Sequence, residues 1–451
     1  MSKLLAFFVL FSQLFFASHA CCQDSAKARH SAATGLNGRW IITLDLFGTP
    51  GYSTLHLTET GGKLSGDFDG DKLDGTVEGK NLHMLAKDDH GGSEDLKGTL
   101  EEGAGGFKMK GTITFEDSKH PEQATTNSFT AVPAVLPRDA KPQHHEFVPT
   151  TFYRQFSAAN KPVLTINPGD TVHTTTVDAG GTDEKGITRV LGGNPETGPF
   201  YVETAQPGDT LVVHFNRIRL NRDWAISDDF LVGLVVDNQW AVKLKDAGQM
   251  VRWRIDLEKG LASPEKPSEH LAHYAVPVHP MLGCVAVAPP PSRGGFGTND
   301  SGGWGGNMDF NEVVEGNTLY LPVRTPGAFL YVGDGHAIQG DGELNGNALE
   351  TSMEVEFTVN VIPEKSISGP RLESPTHLMA MGLDGSVDEA LRGATANMAN
   401  WLTDAYKLTP SEVAQVLGTS AEYKLSEVAD RNAGIVLKIS KERLRGLSES
   451  K

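Results

Sequence analysis

The sequence predicts a mainly β protein, with a small N-terminal antiparallel barrel followed by a larger β-sandwich-like domain that ends in helices. Three observations support this fold class. Gly supplies 50 of the 451 residues, about 11% against a usual level of about 7%, as expected of a chain with many tight turns. Short runs of alternating apolar and polar residues recur along most of the chain. Helical periodicity appears only near the C terminus.

The chain begins with an apolar run that is typical of a secretory signal peptide. Lys3 precedes the apolar residues 4–11, and Ser18-His19-Ala20 supplies the small residues of a cleavage site. The run is shorter than the roughly 20 residues that a membrane-spanning helix needs. We therefore expect residues 1–20 to be removed, residues 21–34 to form a flexible tether, and the protein to be exported to the periplasm or the extracellular space. Lipid attachment at Cys21 is the weaker alternative, because no branched apolar residue stands three places before it.

Residues 35–132 are predicted to form the barrel. Short alternating runs, from Trp40–Leu46 to Phe129–Val132, are separated by Gly and Asp turns. Such a barrel either holds a ligand or acts as a stability or docking module. We favour the second interpretation, because no charged or His cluster lines one face. Residues 133–144 are Pro-rich and lack periodicity, which is typical of a linker, so we place a domain boundary there.

Residues 145–451 are predicted to form the second domain. Strand-like runs continue through it, for example Thr171–Val177 and Thr318–Val323. Helices are predicted at residues 387–406 and 410–417, because Ser386 with Glu389 and Thr409 with Glu412 have the spacing of capping boxes. The apolar stripe of the first helix is typical of a packing face, so both helices should pack against the β core.

Charge and cysteine content restrict the function. The chain has 40 Lys+Arg against 57 Asp+Glu, giving a formal net charge of -17, and no basic block compensates locally. Such a surface repels phosphate backbones, so we expect a small-molecule ligand rather than a nucleic acid. Cys284 is the only cysteine in the predicted folded region, so no disulfide framework is expected despite export.

The densest group of potential metal ligands lies in the segment from Gly333 to Glu343. It contains Asp334, His336 and Glu343, interleaved with Gly that lets the backbone turn closely around an ion. Carboxylates with one imidazole and no thiolate cluster suit Zn²⁺ in an open hydrolytic site, or Ca²⁺ as a structural ion. We favour a functional divalent metal over a calcium-stapled structural loop, and we predict no organic cofactor.

A second cluster is the glycine-rich stretch that ends at Asp309. Gly305, Gly306 and Asn307 are candidates for an oxyanion or substrate loop, because such glycines expose backbone N–H groups, and Asp309 could ligate a cation. A flexible surface loop is the alternative. For Cys284, a buried inert thiol is expected rather than a nucleophile. The motifs of serine hydrolases, zincins and phosphate loops do not occur in the sequence.

Several segments together resemble the acetamidase/formamidase family. They cover roughly residues 145–445 and include Thr197–Asp209, His279–Pro290, Gly305–Asp309, Leu319–Val323, Val332–Glu350 and Gly369–Met379. The resemblance implies a β-rich fold, hydrolysis of a short amide to a carboxylate and ammonia, a zinc-type metal, and a homodimer or larger homo-oligomer. Two departures concern the site: Asn194-Pro195-Glu196 stands where the family commonly has His-Pro, and Gln206 where it usually has Glu.

We therefore predict an exported, metal-assisted amidase of small linear amides. The alternatives are a lactam or cyclic-amide hydrolase, and a non-catalytic exported binding protein with a degenerate amidase domain. The predicted metal ligands are Asp178, Asp309, Asp334 and His336. Glu203 and Glu343 are the candidates for general base or proton shuttle, and either could instead orient a metal ligand.

Overall fold

The computed structural model describes residues 35–103, 106–136, 141–244 and 248–447. The predicted signal peptide, the predicted tether and residues 137–140 of the predicted linker lie outside the described residues. Within the described ranges, no helix is both long and apolar enough to cross a membrane.

Eight antiparallel strands form the predicted barrel and close it, because the last strand pairs with the first. They are β1 (Gly38–Leu46), β2 (Thr49–Thr60), β3 (Lys63–Phe68), β4 (Asp71–Glu78), β5 (Asn81–Lys87), β6 (Gly92–Gly103), β7 (Gly106–Asp117) and β8 (Thr125–Pro133). Alternate residues point inward, and the interior is filled by side chains such as Trp40, Ile42, Met84 and Phe129. The barrel interior is therefore a packed core rather than a ligand cavity, which favours the docking interpretation.

The chain after the barrel is also rich in short strands. They are β9 (His144–Glu146), β10 (Phe152–Tyr153), β11 (Gln155–Phe156), β12 (Leu164–Ile166), β13 (Thr171–Thr175), β14 (Glu196–Val202), β15 (Thr210–Leu220), β16 (Trp224–Asp228), β17 (Met250–Asp256), β18 (Leu261–Pro264), β19 (Val276–Pro277), β20 (Met281–Ala286), β21 (Phe296–Gly297), β22 (Ser301–Gly302), β23 (Gly305–Asn307), β24 (Thr318–Pro322), β25 (Leu330–His336), β26 (Glu350–Thr351), β27 (Met353–Ile362), β28 (Arg371–Glu373), β29 (His377–Asp384), β30 (Glu422–Glu427) and β31 (Ala433–Ser440). The helices are α1 (Asn238–Ala241), α2 (Val387–Tyr406), α3 (Pro410–Ser420) and α4 (Lys441–Leu444).

Two large sheets share one apolar core. The first has the order β19-β18-β17-β16-β26-β25-β20-β23-β22, and β14 joins it by pairing with β25. The second has the order β30-β31-β29-β28-β24-β15-β27-β13-β9. Side chains of both sheets meet in the core, where the rings of Phe200 on β14 and Phe357 on β27 pack edge to face with centroids 5.4 Å apart. This layered arrangement confirms the predicted mainly β class.

The two long helices form where the capping signals predicted them. The Ser386 hydroxyl accepts the N–H of Glu389 at the start of α2, and the reciprocal capping box forms between Thr409 and Glu412 at the start of α3. α2 buries Ala394, Met398 and Leu402 among residues of β29 and β31. α3 continues to Ser420, three residues beyond the predicted end.

The barrel contacts the rest of the chain through a buried ion pair. Arg39 on β1 lies 2.6 Å from the carboxylate of Asp209 and donates to the carbonyl of Pro207 at 2.7 Å. Asp209 lies in the turn that follows β14, whereas Glu196 lies at the start of that strand. The barrel therefore docks near the end of β14 that is remote from Glu196.

Candidate metal centre and its cleft

Neighbouring strands of the first sheet bring five ionisable side chains together at one point. His336 at the end of β25 is paired in register with Glu350 at the start of β26. Asp334 lies two residues before His336, Asp309 follows β23, and Glu343 lies in the loop between β25 and β26. We call these five residues the His336 cluster. All five are buried.

The distances within the His336 cluster suit a bound cation. Nε2 of His336 lies 3.2 Å from Glu350 Oε1, 3.4 Å from Asp334 Oδ1 and 3.9 Å from Asp309 Oδ1. Two sets of three ligand atoms each lie within 4.8 Å of one another: Asp309, Asp334 and His336, and His336, Glu343 and Glu350. His336 is common to both sets.

Gln339 fixes which ring nitrogen of His336 faces the cluster. Its side-chain N–H group donates to the backbone carbonyls of Asp309 at 2.6 Å and Ser426 at 3.1 Å, so its side-chain oxygen must be the acceptor at 2.9 Å from His336 Nδ1. Nδ1 of His336 therefore carries a proton, which leaves Nε2, the nitrogen that faces the carboxylates, as the one able to bind a metal. This arrangement of a ring N–H bonded to an outer acceptor is common for histidines that bind metals.

Gly283 leaves the space in which an ion would sit. A Cβ atom on Gly283 would lie 2.6 Å from Asp334 Oδ2, 3.0 Å from His336 Cε1 and closer still to Asp309 Oδ1. Any side chain at this position of β20 would therefore displace the ligand atoms. The glycine keeps an open cradle between three members of the cluster.

The electrostatics of the cluster favour an added positive charge. Burial is the main cause that raises the pKa of Asp309 well above its usual value, of Glu343 to about 7 and of Glu350 to about 8. Burial alone lowers the pKa of His336, but Glu350 and Asp334 outweigh it and raise that pKa well above the usual value. The cluster therefore concentrates negative charge that a proton or a metal ion must balance.

Ligand atoms without a hydrogen-bond partner show that a divalent metal fits these residues. Among the described residues, Asp309 Oδ1, Asp334 Oδ1, His336 Nε2 and Glu350 Oε2 are buried without a hydrogen-bond partner. Leaving such atoms unpaired is costly, and three of them approach one another, since His336 Nε2 lies within 4 Å of both Asp309 Oδ1 and Asp334 Oδ1. Carboxylate oxygens and one imidazole nitrogen are ordinary ligands of divalent metals in proteins.

An outer layer of amides and a carboxylate orients the ligands. Nδ2 of Asn307 donates to Asp309 Oδ2 and to Asp430 Oδ2, each at 2.6 Å. Asn194 donates to Asn307 Oδ1 at 2.7 Å and to Asp334 Oδ2 at 3.2 Å. One oxygen of Asp309 and one of Asp334 are thus held from outside, so the other oxygen of each is left facing the cluster.

A cleft leads to the cluster from the outside. Its volume is about 540 Å³, and it reaches the cluster at Glu350 and Asn194. The other lining residues are Asp178, Ala179, Gly180, Thr182, Gly192, Gly193, Ile226, Asp228, Met250, Asn299 and Asn347. This size lies within the range of about 300–1,000 Å³ that is usual for clefts that bind small molecules.

The structure places the predicted site residues in different surroundings. Asp309, Asp334, His336 and Glu343 all belong to the His336 cluster. Asp178 lines the cleft but is absent from both ligand sets, and its carboxylate forms a buried ion pair at 2.6 Å with the guanidinium of Arg222. It positions a wall of the cleft.

Glu203 and Glu343 lie far apart. Glu203 directly follows β14, seven residues beyond Glu196, which at the rise of a strand is roughly 20 Å along the chain. This is the end of β14 at which the barrel docks. Of the two predicted carboxylates, Glu343 lies in the His336 cluster and Glu203 does not.

The glycines of the predicted substrate loop are buried within β23. This strand pairs with β20 on one side and β22 on the other, so Gly305, Gly306 and Asn307 do not form a surface loop. A Cβ at Gly305 would collide with the carbonyl of Val285, and one at Gly306 with the carbonyl of Asp300. Both glycines thus permit close strand contact, whereas Asn307 reaches the cluster through Asp309.

Cys284 is buried near several carboxyl groups. Burial, and then the nearby Glu196, raise the pKa of the Cys284 thiol well above its usual value. Glu196 is itself buried, and its carboxylate occupies the space that a side chain on Gly333 would fill. Because a thiol nucleophile needs a lowered pKa, the surroundings of Cys284 agree with the prediction of an inert thiol.

Sequence reasoning missed several residues of the site. Glu350 lies fourteen residues after His336, and only the pairing of β25 with β26 places the two side chains together. Gln339 lies inside the predicted metal loop, and Asn194 inside the recognised departure from the family pattern. Neither spacing nor composition distinguished them, because Asn194 bonds to Asp334, and Gln339 is oriented by the carbonyls of Asp309 and Ser426, across long stretches of the chain.

Comparisons with known proteins match the part of the chain that contains this site. The sequence profile of the acetamidase/formamidase family matches residues 295–430, a range that contains the whole His336 cluster and none of the barrel. A Schizosaccharomyces pombe protein with a provisional formamidase name is 36% identical over 75 residues. That match covers 16% of this chain and only 18% of the relative's length.

Solved structures extend the similarity over most of the second part of the chain. A predicted acetamidase/formamidase from Thermoanaerobacter tengcongensis is 25% identical, with a TM-score of 0.58, over 68% of this chain and 99% of that one. The acetamidase of Bacillus halodurans is 26% identical, with a TM-score of 0.57, over 67% of this chain and 99% of that one. The acetamidase of Yersinia enterocolitica is 26% identical, with a TM-score of 0.58, over 68% of this chain and 94% of that one. The profile match and these structures show that the part of the chain after the barrel is similar to proteins of the acetamidase/formamidase family.

Proposed function

We propose that the protein is an exported, metal-assisted amidase that hydrolyses small linear amides to a carboxylate and ammonia. The observation that carries this proposal is the His336 cluster, which has buried, unpartnered ligand atoms and which the cleft reaches at Glu350. Similarity to the acetamidase/formamidase family supports amide hydrolysis as the reaction. We also propose a homodimer or larger homo-oligomer, as the family resemblance implies.

Asp309, Asp334, His336 and Glu350 are the residues proposed to hold the metal. We infer Zn²⁺, because the set combines imidazole with carboxylates and faces a cleft that substrate can enter. When bound, such an ion polarises the amide carbonyl and lowers the pKa of a water to about 7. Asn194, Asn307 and Gln339 hold the ligands in place.

Glu343 is the proposed proton carrier. Its pKa is raised to about 7, mainly by burial, so its carboxylate can both take and give a proton near neutral pH. Oε1 of Glu343 accepts the N–H of Ala348 at 3.0 Å, which fixes the side chain. The leaving nitrogen of an amide needs a proton, and a fixed carboxylate beside the cluster can supply it.

The proposal is tested by ammonia release from a panel of short amides, with and without a chelator. Release from formamide or acetamide that is lost on chelation supports it. Glu343→Gln should lower kcat by about 10² or more with metal content retained, and Glu203→Gln should not. No ammonia from any amide, with metal bound, would contradict the proposal and favour a non-catalytic binding protein.

A further inference from the structure

The cleft is larger than a formamide or acetamide molecule requires. Its volume of about 540 Å³ is in the range that accommodates ligands of many heavy atoms. It also reaches beyond the cluster, from Glu350 to residues of β16 and β17. A substrate that filled it would therefore contact side chains distant from the scissile bond.

The cleft walls carry negative charge and no positive charge. Among its lining residues are three carboxylates, Asp178, Asp228 and Glu350, and neither Lys nor Arg. Oε2 of Glu350 is buried without a hydrogen-bond partner. An amide that carries a carboxylate would meet repulsion at these walls, whereas an ammonium group would be attracted.

The nearest guanidinium groups are already engaged. Arg222 forms the buried ion pair with Asp178. Arg252, opposite Ile226 on β17, stacks over the Trp224 ring and lies 3.3 Å from the carboxylate of Glu265. Arg222 balances the charge of Asp178, and Glu350 is a proposed metal ligand, so Asp228 is the carboxylate of the cleft lining whose charge no ion pair among the described residues balances.

Asp228 is placed to receive a distant group of the substrate. Ile226 on β16 pairs with Glu350 on β26, and Asp228 lies two residues further along the same face of β16, about 7 Å away at the rise of a strand. Asn347 donates to Asp228 Oδ2. Oδ1 of Asp228 receives no hydrogen bond from the described residues, so it is available to a ligand.

We propose that the cleft selects linear amides that carry an ammonium group a few bonds from the amide carbonyl, and that Asp228 binds this group. The inference rests on the proposed amidase function and specifies its substrate class. An ω-amino amide with a short chain spans the distance between Glu350 and Asp228. Its charge complements the cleft.

The test compares kcat/KM for three amides of equal chain length: 4-aminobutyramide, butyramide and succinamate, which are cationic, neutral and anionic. We expect kcat/KM for the cationic amide to be at least tenfold higher than for the neutral amide, and kcat/KM for the neutral amide to be higher than for the anionic one. Asp228→Asn should lower the cation-to-neutral ratio about tenfold. Because a ratio is measured, a general loss of folded or metal-loaded enzyme does not affect it.

Asp223→Asn is the matched control, since Asp223 is an exposed carboxylate beside β16 that does not line the cleft. The cation-to-neutral ratio of Asp223→Asn should equal that of the unmodified protein. Hydrolysis with no preference for the cation, or an unchanged ratio in Asp228→Asn, would overturn this inference alone. Failure to release ammonia from any amide, acetamide and formamide included, would overturn the proposed function and this inference together.

Discussion

Three members of the His336 cluster adopt a left-handed backbone conformation that residues other than glycine rarely adopt. Asp309, Asp334 and Glu343 have φ values of 41°, 53° and 47°. Each such residue costs on the order of 1–3 kcal/mol and persists only where its surroundings impose it. The strain turns these carboxylates toward a common point, as expected of a functional site and not of a sheet that is optimised for stability.

Gly283 allows the first prediction at the residue scale. Gly283→Ala should weaken metal binding at least tenfold, because the added methyl group would occupy the space between Asp309, Asp334 and His336 without removing a ligand. Metal content after equilibration with a limiting zinc buffer measures the effect.

Gly297→Ala is the matched control. Gly297 also lies in a strand, but a Cβ there would meet nothing within 4 Å, so its metal content should equal that of the unmodified protein. Undiminished metal binding by a folded Gly283→Ala protein would show that the cradle does not hold the ion.

The hairpin of β30 and β31 gives a prediction at the scale of the element. Its turn presses Glu427 and Asp430 toward the cluster, and burial is the main cause that raises their pKa values to about 8 and about 6. In the unfolded chain Glu427 titrates near its usual value of 4.5, so the folded state binds the extra proton between about pH 4.5 and 8. The stabilising effect of that proton is complete below pH 4.5 and is lost as pH rises through 8.

Glu427→Gln should remove this dependence. With metal chelated, the free energy of unfolding of the unmodified protein should fall relative to that of Glu427→Gln as pH rises from 5 to 8.5. Urea unfolding at several pH values measures it. Parallel pH profiles for the two proteins would mean that Glu427 is not protonated in the folded state.

At the same scale, the elements differ in how far the sequence predicts them. The barrel strands and the starts of α2 and α3 depend on local alternation and capping, so the barrel region and the first residues of both helices could be predicted. The bond from Asn194 to Asp334 and the approach of Glu350 to His336 depend on the pairing of β25 with β14 and with β26. One sequence does not carry that register, which explains why the metal loop was found but Glu350 was not.

Removal of the barrel tests the organisation of the whole molecule. A chain that starts at Gln143 should fold, because the barrel core and the core of the two sheets are separate clusters. Its amide hydrolysis should stay within about tenfold of the full-length rate, since the barrel docks at Pro207 and Asp209, away from the cluster. We also expect a lower Tm, because the buried Asp209 loses Arg39 as its partner. A folded, metal-loaded protein without activity would show that the barrel completes the active site.

The proposed amide hydrolysis depends on a metal ion in the His336 cluster. Its most direct test is a titration: the chelated protein is given Zn²⁺ in steps, and ammonia release from acetamide and from 4-aminobutyramide is measured against bound metal. The rate should rise in proportion to bound metal, reach a plateau at a fixed ratio of metal to chain, and stay near zero in His336→Ala. A full rate in protein without stoichiometric metal would contradict the account.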